Sequence, residues 1–114
     1  LLGRSSDSFK AGGPFLNYTK FKHCLEDFFA YADLVQILLS NKGTTQLLTL
    51  KLLKSIAYDA REIEEILIKN YEELEISTKQ LGVEFQVALV DAEEFEIVEH
   101  SGKLRHIIDK RGES

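Results

Sequence analysis

Apolar residues recur along this chain at helical spacing. Leu53, Ile56, Ala60, Ile63, Leu67, Asn70, Leu74, Ser77 and Leu81 step alternately by three and four, the seam of a helix lying along another helix. No Gly or Pro falls within 44–81, so nothing inside the stretch demands a break. A second seam precedes it: Phe21, Leu25, Phe28, Ala32, Val35 and Leu39. Phe29, Leu34 and Leu38 widen that seam into the stripe of a helix facing a globular core. Asn17 is a good N-cap for it, with Phe15 or Leu16 placed to pack against Phe21. Ser40-Asn41-Lys42-Gly43 supplies residues that end a helix in the left-handed conformation, and Thr44 or Thr45 can cap the next. The spacing predicts an antiparallel helical hairpin over about 17–40 and 44–80.

Beyond Gly82 the pattern admits two readings. Val83, Phe85, Val87 and Leu89 alternate with Glu84, Gln86 and Ala88, and Phe95 and Ile97 follow, which suits a β-hairpin over 83–99. As a helix, the same stretch carries one stripe through Phe85, Ala88, Ala92 and Phe95 and another through Val83, Val87 and Val90. No Asn-Gly or Gly-rich turn stands where a tight hairpin wants it, and Ala92-Glu93-Glu94 favours helix. The fold class expected is all-α, a helical hairpin completed by a third helical segment into a coiled-coil-like three-helix bundle. The alternative is α+β with a C-terminal β-hairpin at 83–99. Residues 1–14, rich in Ser and Gly and holding the single Pro, read as a flexible leader. A single helical domain then covers 15–110, and a polar tail 111–114.

Length and composition change this picture little. The 114 residues, 44% hydrophobic and 29% charged, suffice for one domain with its own core. The charge, −5 in total, is unevenly placed. Residues 1–58 hold seven basic and four acidic side chains, 59–99 hold three and thirteen, and 100–114 four and two. A central balance of −10 repels nucleic-acid phosphate and suits a basic partner surface. No apolar run long enough for a membrane span and no signal-peptide pattern is present. One cysteine, Cys24, cannot form an internal disulfide, which suits a reducing, intracellular and cytoplasmic setting. A chain beginning at Leu1 also suits a regulatory domain cut from a longer protein.

Catalytic motifs are missing. The sequence has no P-loop, GxGxxG, CxxC or HExxH. His23 and Asp27 share a helix face, and His100 and His106 with Glu96 or Glu99 add loose carboxylate and imidazole groups. Neither set has the ligand spacing of a zinc site, so no metal and no cofactor is expected. His23 and Cys24, adjacent on a helix, point apart and form no catalytic dyad. Lys103, Arg105, His106, Lys110 and Arg111 make the one basic cluster, around Leu104, Ile107 and Ile108, and four firm charges suit folding back on the acidic block.

Two functional expectations follow. The first is a non-catalytic protein-interaction or self-association module using apolar and acidic helix faces. Its interface runs through Leu67, Asn70, Leu74, Leu81, Val83, Val87 and Val90, with Asn70 as the polar residue that sets register. The second is a small enzyme or ligand-binding domain with an interhelical pocket near His23, Cys24 and Tyr58.

Overall fold

Strands replace helix in both arms of the expected hairpin. The computed structural model describes residues 8–97 and 105–111. A short ribbon comes first, β1 (Ser8–Lys10) paired antiparallel with β2 (Phe15–Asn17), then helix α1 (Tyr18–Phe29). Strands β3 (Val35–Lys42) and β4 (Thr45–Leu53) follow, then α2 (Ala60–Asn70), a four-residue α3 (Glu72–Glu75) and a π-helical turn (Ile76–Gln80). Strand β5 (Glu84–Val90), a 3-10 turn (Ala92–Glu94) and β6 (Ile107–Asp109) complete the described chain. The larger sheet runs β5-β4-β3-β6. Its central pair is antiparallel, while β5 lies parallel to β4 and β6 parallel to β3.

The fold is therefore mixed α and β, and neither a helical bundle nor a coiled coil. The first seam belongs to a helix only through Phe29. Asn17 does cap α1, its side chain accepting from Lys20 N–H at 3.2 Å. Phe21 and Leu25 are fully buried. Ala30 then turns left-handed at φ 52° and closes the helix, its N–H on Glu26 O. Val35, Ile37 and Leu39 continue the burial at a period of two, and β-branched residues prefer that setting. Lys42 pairs with Thr45 across the two-residue loop Gly43-Thr44. Gly43, at φ +66°, sits in the first loop position that type II′ hairpin turns reserve for glycine. What reads as a helix stop is the hairpin turn.

The second seam is half strand and half helix. Leu48, Leu50 and Leu52 on β4 point one way into the core. From Asp59 the chain is helical but not the unbroken helix expected: Tyr71, extended at φ −122° and ψ 99°, separates α2 from α3, though Ile63, Leu67, Leu74 and Ser77 are all completely buried. The strand over 84–90 pairs not in a hairpin with later residues but parallel with β4, Leu50 opposite Val87. A parallel pair needs a crossover, and α2 with α3 supplies it. The expected helix end at His100-Ser101-Gly102 lies outside the described residues.

One apolar layer holds the domain together. Val35, Ile37, Leu39, Leu48, Leu50, Leu52 and Val87 on one face of the sheet form a single cluster with the inner faces of α1 and α2. The ribbon 8–17, within and just after the stretch expected as a leader, straps this layer: Phe9, Ala11 and Leu16 are buried. Ser77 Oγ, completely buried, donates to Ala11 O at 2.7 Å. The strap passes so close that only glycine fits at position 12, where φ is +79° and a Cβ would stand 2.9 Å from Val83 Cγ2. On the opposite face, Gln36 is buried and tethers the returning chain, while Phe95 and Ile108 are buried apart from the main cluster.

Tyr71 gives this core a pH dependence. Its ring lies 5.0 Å from that of Phe21, its hydroxyl accepts from Asn17 N–H at 2.8 Å, and burial pushes its pKa up to about 12. The neutral phenol is the form that fits, so the unfolded chain loses its proton at lower pH than the folded one. The contribution is complete below pH about 10 and is lost as pH rises toward 12, about 2 kcal/mol in all. Alkaline unfolding of the natural protein should therefore steepen above pH about 10, and Tyr71→Phe should reduce that slope, leaving the part due to buried Tyr31, while lowering stability at neutral pH. Unfolding followed by circular dichroism beside tyrosinate absorbance reads both.

Candidate functional site

The parallel pair β4 and β5 ends on one side of the molecule, where Lys54 N–H donates to Val90 O at 3.1 Å. Because β3 is antiparallel to β4, with Val35 opposite Leu52, the loop entering β3 reaches the same place. Between that loop and the one leaving β4 lies a cleft of about 320 Å³. Phe29, Tyr31 and Asp33 form one wall, Ser55, Ile56 and Ala57 the other.

Each wall is held by identifiable groups. The Tyr31 hydroxyl donates to Leu34 O and accepts from Leu53 N–H at 2.9 Å, tying the loop to the strand end. Burial raises its pKa above the usual phenol value, so it stays a neutral donor. Asp33 accepts from Leu34 N–H at 2.9 Å through one oxygen and is exposed. Tyr58, 38% exposed, stands edge-on to Phe29 at 4.8 Å and extends the aromatic wall beyond the cleft. On the strand side, Lys54 pairs with Asp91 at 3.4 Å and Lys51 Nζ donates to Glu94 O at 3.2 Å. The cleft thus offers the Asp33 carboxylate and the Ser55 hydroxyl, with the Tyr31 hydroxyl already bonded within its own wall, on a largely polar lining edged by aromatic rings. No nucleophile is paired with a base there, and among the described residues no three His, Cys, Asp or Glu gather to hold a metal.

The second expectation placed its pocket near His23, Cys24 and Tyr58. Tyr58 borders the cleft, but His23 is exposed and Cys24 is buried in the core, so the three do not converge. Burial raises the Cys24 thiol pKa and keeps it protonated. Of the loose ligand candidates, Glu99 and His100 lie outside the described residues, and His106 stacks on Tyr18 at 4.2 Å. In the basic cluster Arg111 is bidentate to Asp109 and Lys110 pairs with Glu96 at 4.0 Å.

The seven expected interface residues are dispersed. Leu67, Leu74, Val83 and Val87 are buried among the chain's own side chains. Asn70 is exposed and donates to Ile66 O at 2.8 Å, closing the end of its own helix. Leu81 is 47% exposed and Val90 half-buried at the end of β5. Sequence reasoning missed Asp33, Ser55 and Ile56. The signal for them was the Gly43-Thr44 turn, which, read as a hairpin, brings residues 30–34 beside 54–57.

None of the protein-family models scanned matches this chain, and no curated protein is significantly similar to it. Among the described residues no helix is long and apolar enough to cross a membrane.

Proposed function

We propose that this domain binds a small amphipathic molecule, an apolar ring or chain bearing an amine, in the cleft between residues 29–33 and 55–57. The observation that carries the reading is position. The cleft opens at the end of the sheet where the chain enters β3 and leaves β4, so two loops held by the central strand pair converge on it and form a concave site. Asp33 is the group that selects an amine, since a carboxylate accepts from it and pairs with its charge. Phe29, Ile56 and Tyr58 receive the apolar part. A reducing, cytoplasmic setting belongs to the same reading, supported by the single buried thiol.

Titration of the labelled protein with benzylamine, benzoate and benzyl alcohol tests it through amide chemical shifts. Benzylamine should move residues 29–33 and 55–57, and the other two compounds should do so more weakly. Asp33→Asn should weaken the amine about threefold, the size of one exposed ion pair. Ala57→Trp, at an exposed position on the wall, should abolish all three responses. Shifts that avoid the cleft, or that ignore both variants, would overturn the reading.

A further inference from the structure

Among the described residues strand β5 ends the larger sheet on one side, and a side chain covers the middle of its outer edge. Val90 O accepts from Lys54 on the β4 side. Since alternate residues of a strand turn their backbone groups to opposite sides, those of Phe85, Val87 and Leu89 point away from the sheet. At the centre of this row, Val87 N–H donates to Glu64 Oε2 at 2.9 Å. Glu64 reaches there from α2 and is half-buried, whereas its neighbours Glu62 and Glu65 are exposed. A carboxylate seated on a strand N–H occupies the position that a carbonyl oxygen of one more strand would take.

The geometry points to the outer edge of β5 as a docking site for an extended, basic segment of another protein, with Glu64 as its displaceable occupant. The incoming strand places a carbonyl on Val87 N–H, and a lysine or arginine beside it takes up the freed Glu64 carboxylate. Main-chain bonds to Phe85 and Leu89 extend the pairing, as in other strand additions to a sheet edge.

Charge chooses the occupant. Glu84 begins the strand, Asp91 follows its end, and Glu64 and Glu65 lie on the adjoining helix, where Arg61 one turn earlier is the single opposing charge before Lys69. Glu84 and Asp91 are paired with Lys42 and Lys54, but those pairs are exposed and weakly held. A second copy docking symmetrically across Val87 would set Glu64 against Glu64 and bring the same acids together. A basic strand meets that surface with opposite charge, and its capture falls with salt.

Two synthetic peptides test this, one alternating lysine with valine and one alternating glutamate with valine, each titrated into labelled protein. The lysine peptide should shift the amides of 85–89, with Val87 moving most, and its affinity should fall severalfold between low and high salt. Glu64→Gln keeps an acceptor oxygen on Val87 and removes the charge, so it should keep the fold and weaken the lysine peptide about tenfold. The glutamate peptide should leave 85–89 unmoved. Equal response to both peptides, no response at 85–89, or indifference to Glu64→Gln would each overturn the proposal. So would a Glu64→Ala protein that sediments as a dimer, because the occupant would then be a second copy. Residues 29–33 and 55–57 report on the cleft separately, so either site can fail without the other.

Discussion

Phe21→Ala should lower the melting temperature by about 15 °C. Phe21 is completely buried, and its ring lies 6.3 Å from Phe9, 5.0 Å from Tyr71 and 6.2 Å from Phe85. It thus joins the strap, the α2–α3 junction and the edge strand to α1. Truncating such a ring removes its transfer free energy and leaves a cavity, about 3–5 kcal/mol together. A domain of this size loses roughly 4 °C for each of these. Phe28→Ala is the control. Phe28 lies on the same heptad seam, but the fold leaves it 44% exposed, so its truncation should move the midpoint by only a few degrees. A helical hairpin with an intact seam would penalise the two alike, and thermal melts of both variants separate the architectures.

Gln36→Leu should destabilise the domain by about 3 kcal/mol, and most of that loss should appear first on one side. Gln36 is buried, and its Nε2 donates to Glu96 O at 2.9 Å and Arg105 O at 2.7 Å. Its Oε1 accepts from Glu96 N–H at 3.1 Å. Leucine fills similar space and makes none of these bonds; Glu96 O keeps Arg105 N–H at 3.2 Å, but Glu96 N–H and Arg105 O lose the amide, each about 1–3 kcal/mol if it stays dry. Hydrogen exchange at Glu96 should quicken roughly a hundredfold, while Leu50 and Ile63 in the main core slow-exchange as before up to the new global limit. The denaturant midpoint gives the total. If Glu96 exchanged unchanged, the side-chain amide would not be what anchors the returning chain.

The cleft was illegible for a physical reason. Asp33 and Ser55 are 22 positions apart and belong to loops with no motif of their own. They meet because a hairpin folds β3 back along β4. Recognising the hairpin turned on Gly43, and glycine serves a helix end and a type II′ turn equally well. Ambiguity also runs through 35–39 and 47–53, where apolar pairs such as Leu38-Leu39, Leu47-Leu48 and Leu52-Leu53 flank the polar residues Gln36, Thr49 and Lys51. The apolar pairs admit the heptad step as well, so the period of two in Leu48-Thr49-Leu50-Lys51-Leu52 was present but outweighed by a seam running on into a true helix.

Where polar residues interrupt the pattern, local chemistry decided. Asn17 starts α1, Phe21 and Leu25 face inward from it, and Ile63 and Leu67 mark the buried side of α2, all from spacing and capping within one or two turns. Strand and helix in the middle of the chain were decided only by partners far off in sequence: Leu50 by Val87 and Ile37 by Ile107. A strand's backbone bonds lie between segments and a helix's lie within one. Pairing, edge and cleft therefore became visible only when the whole chain was folded.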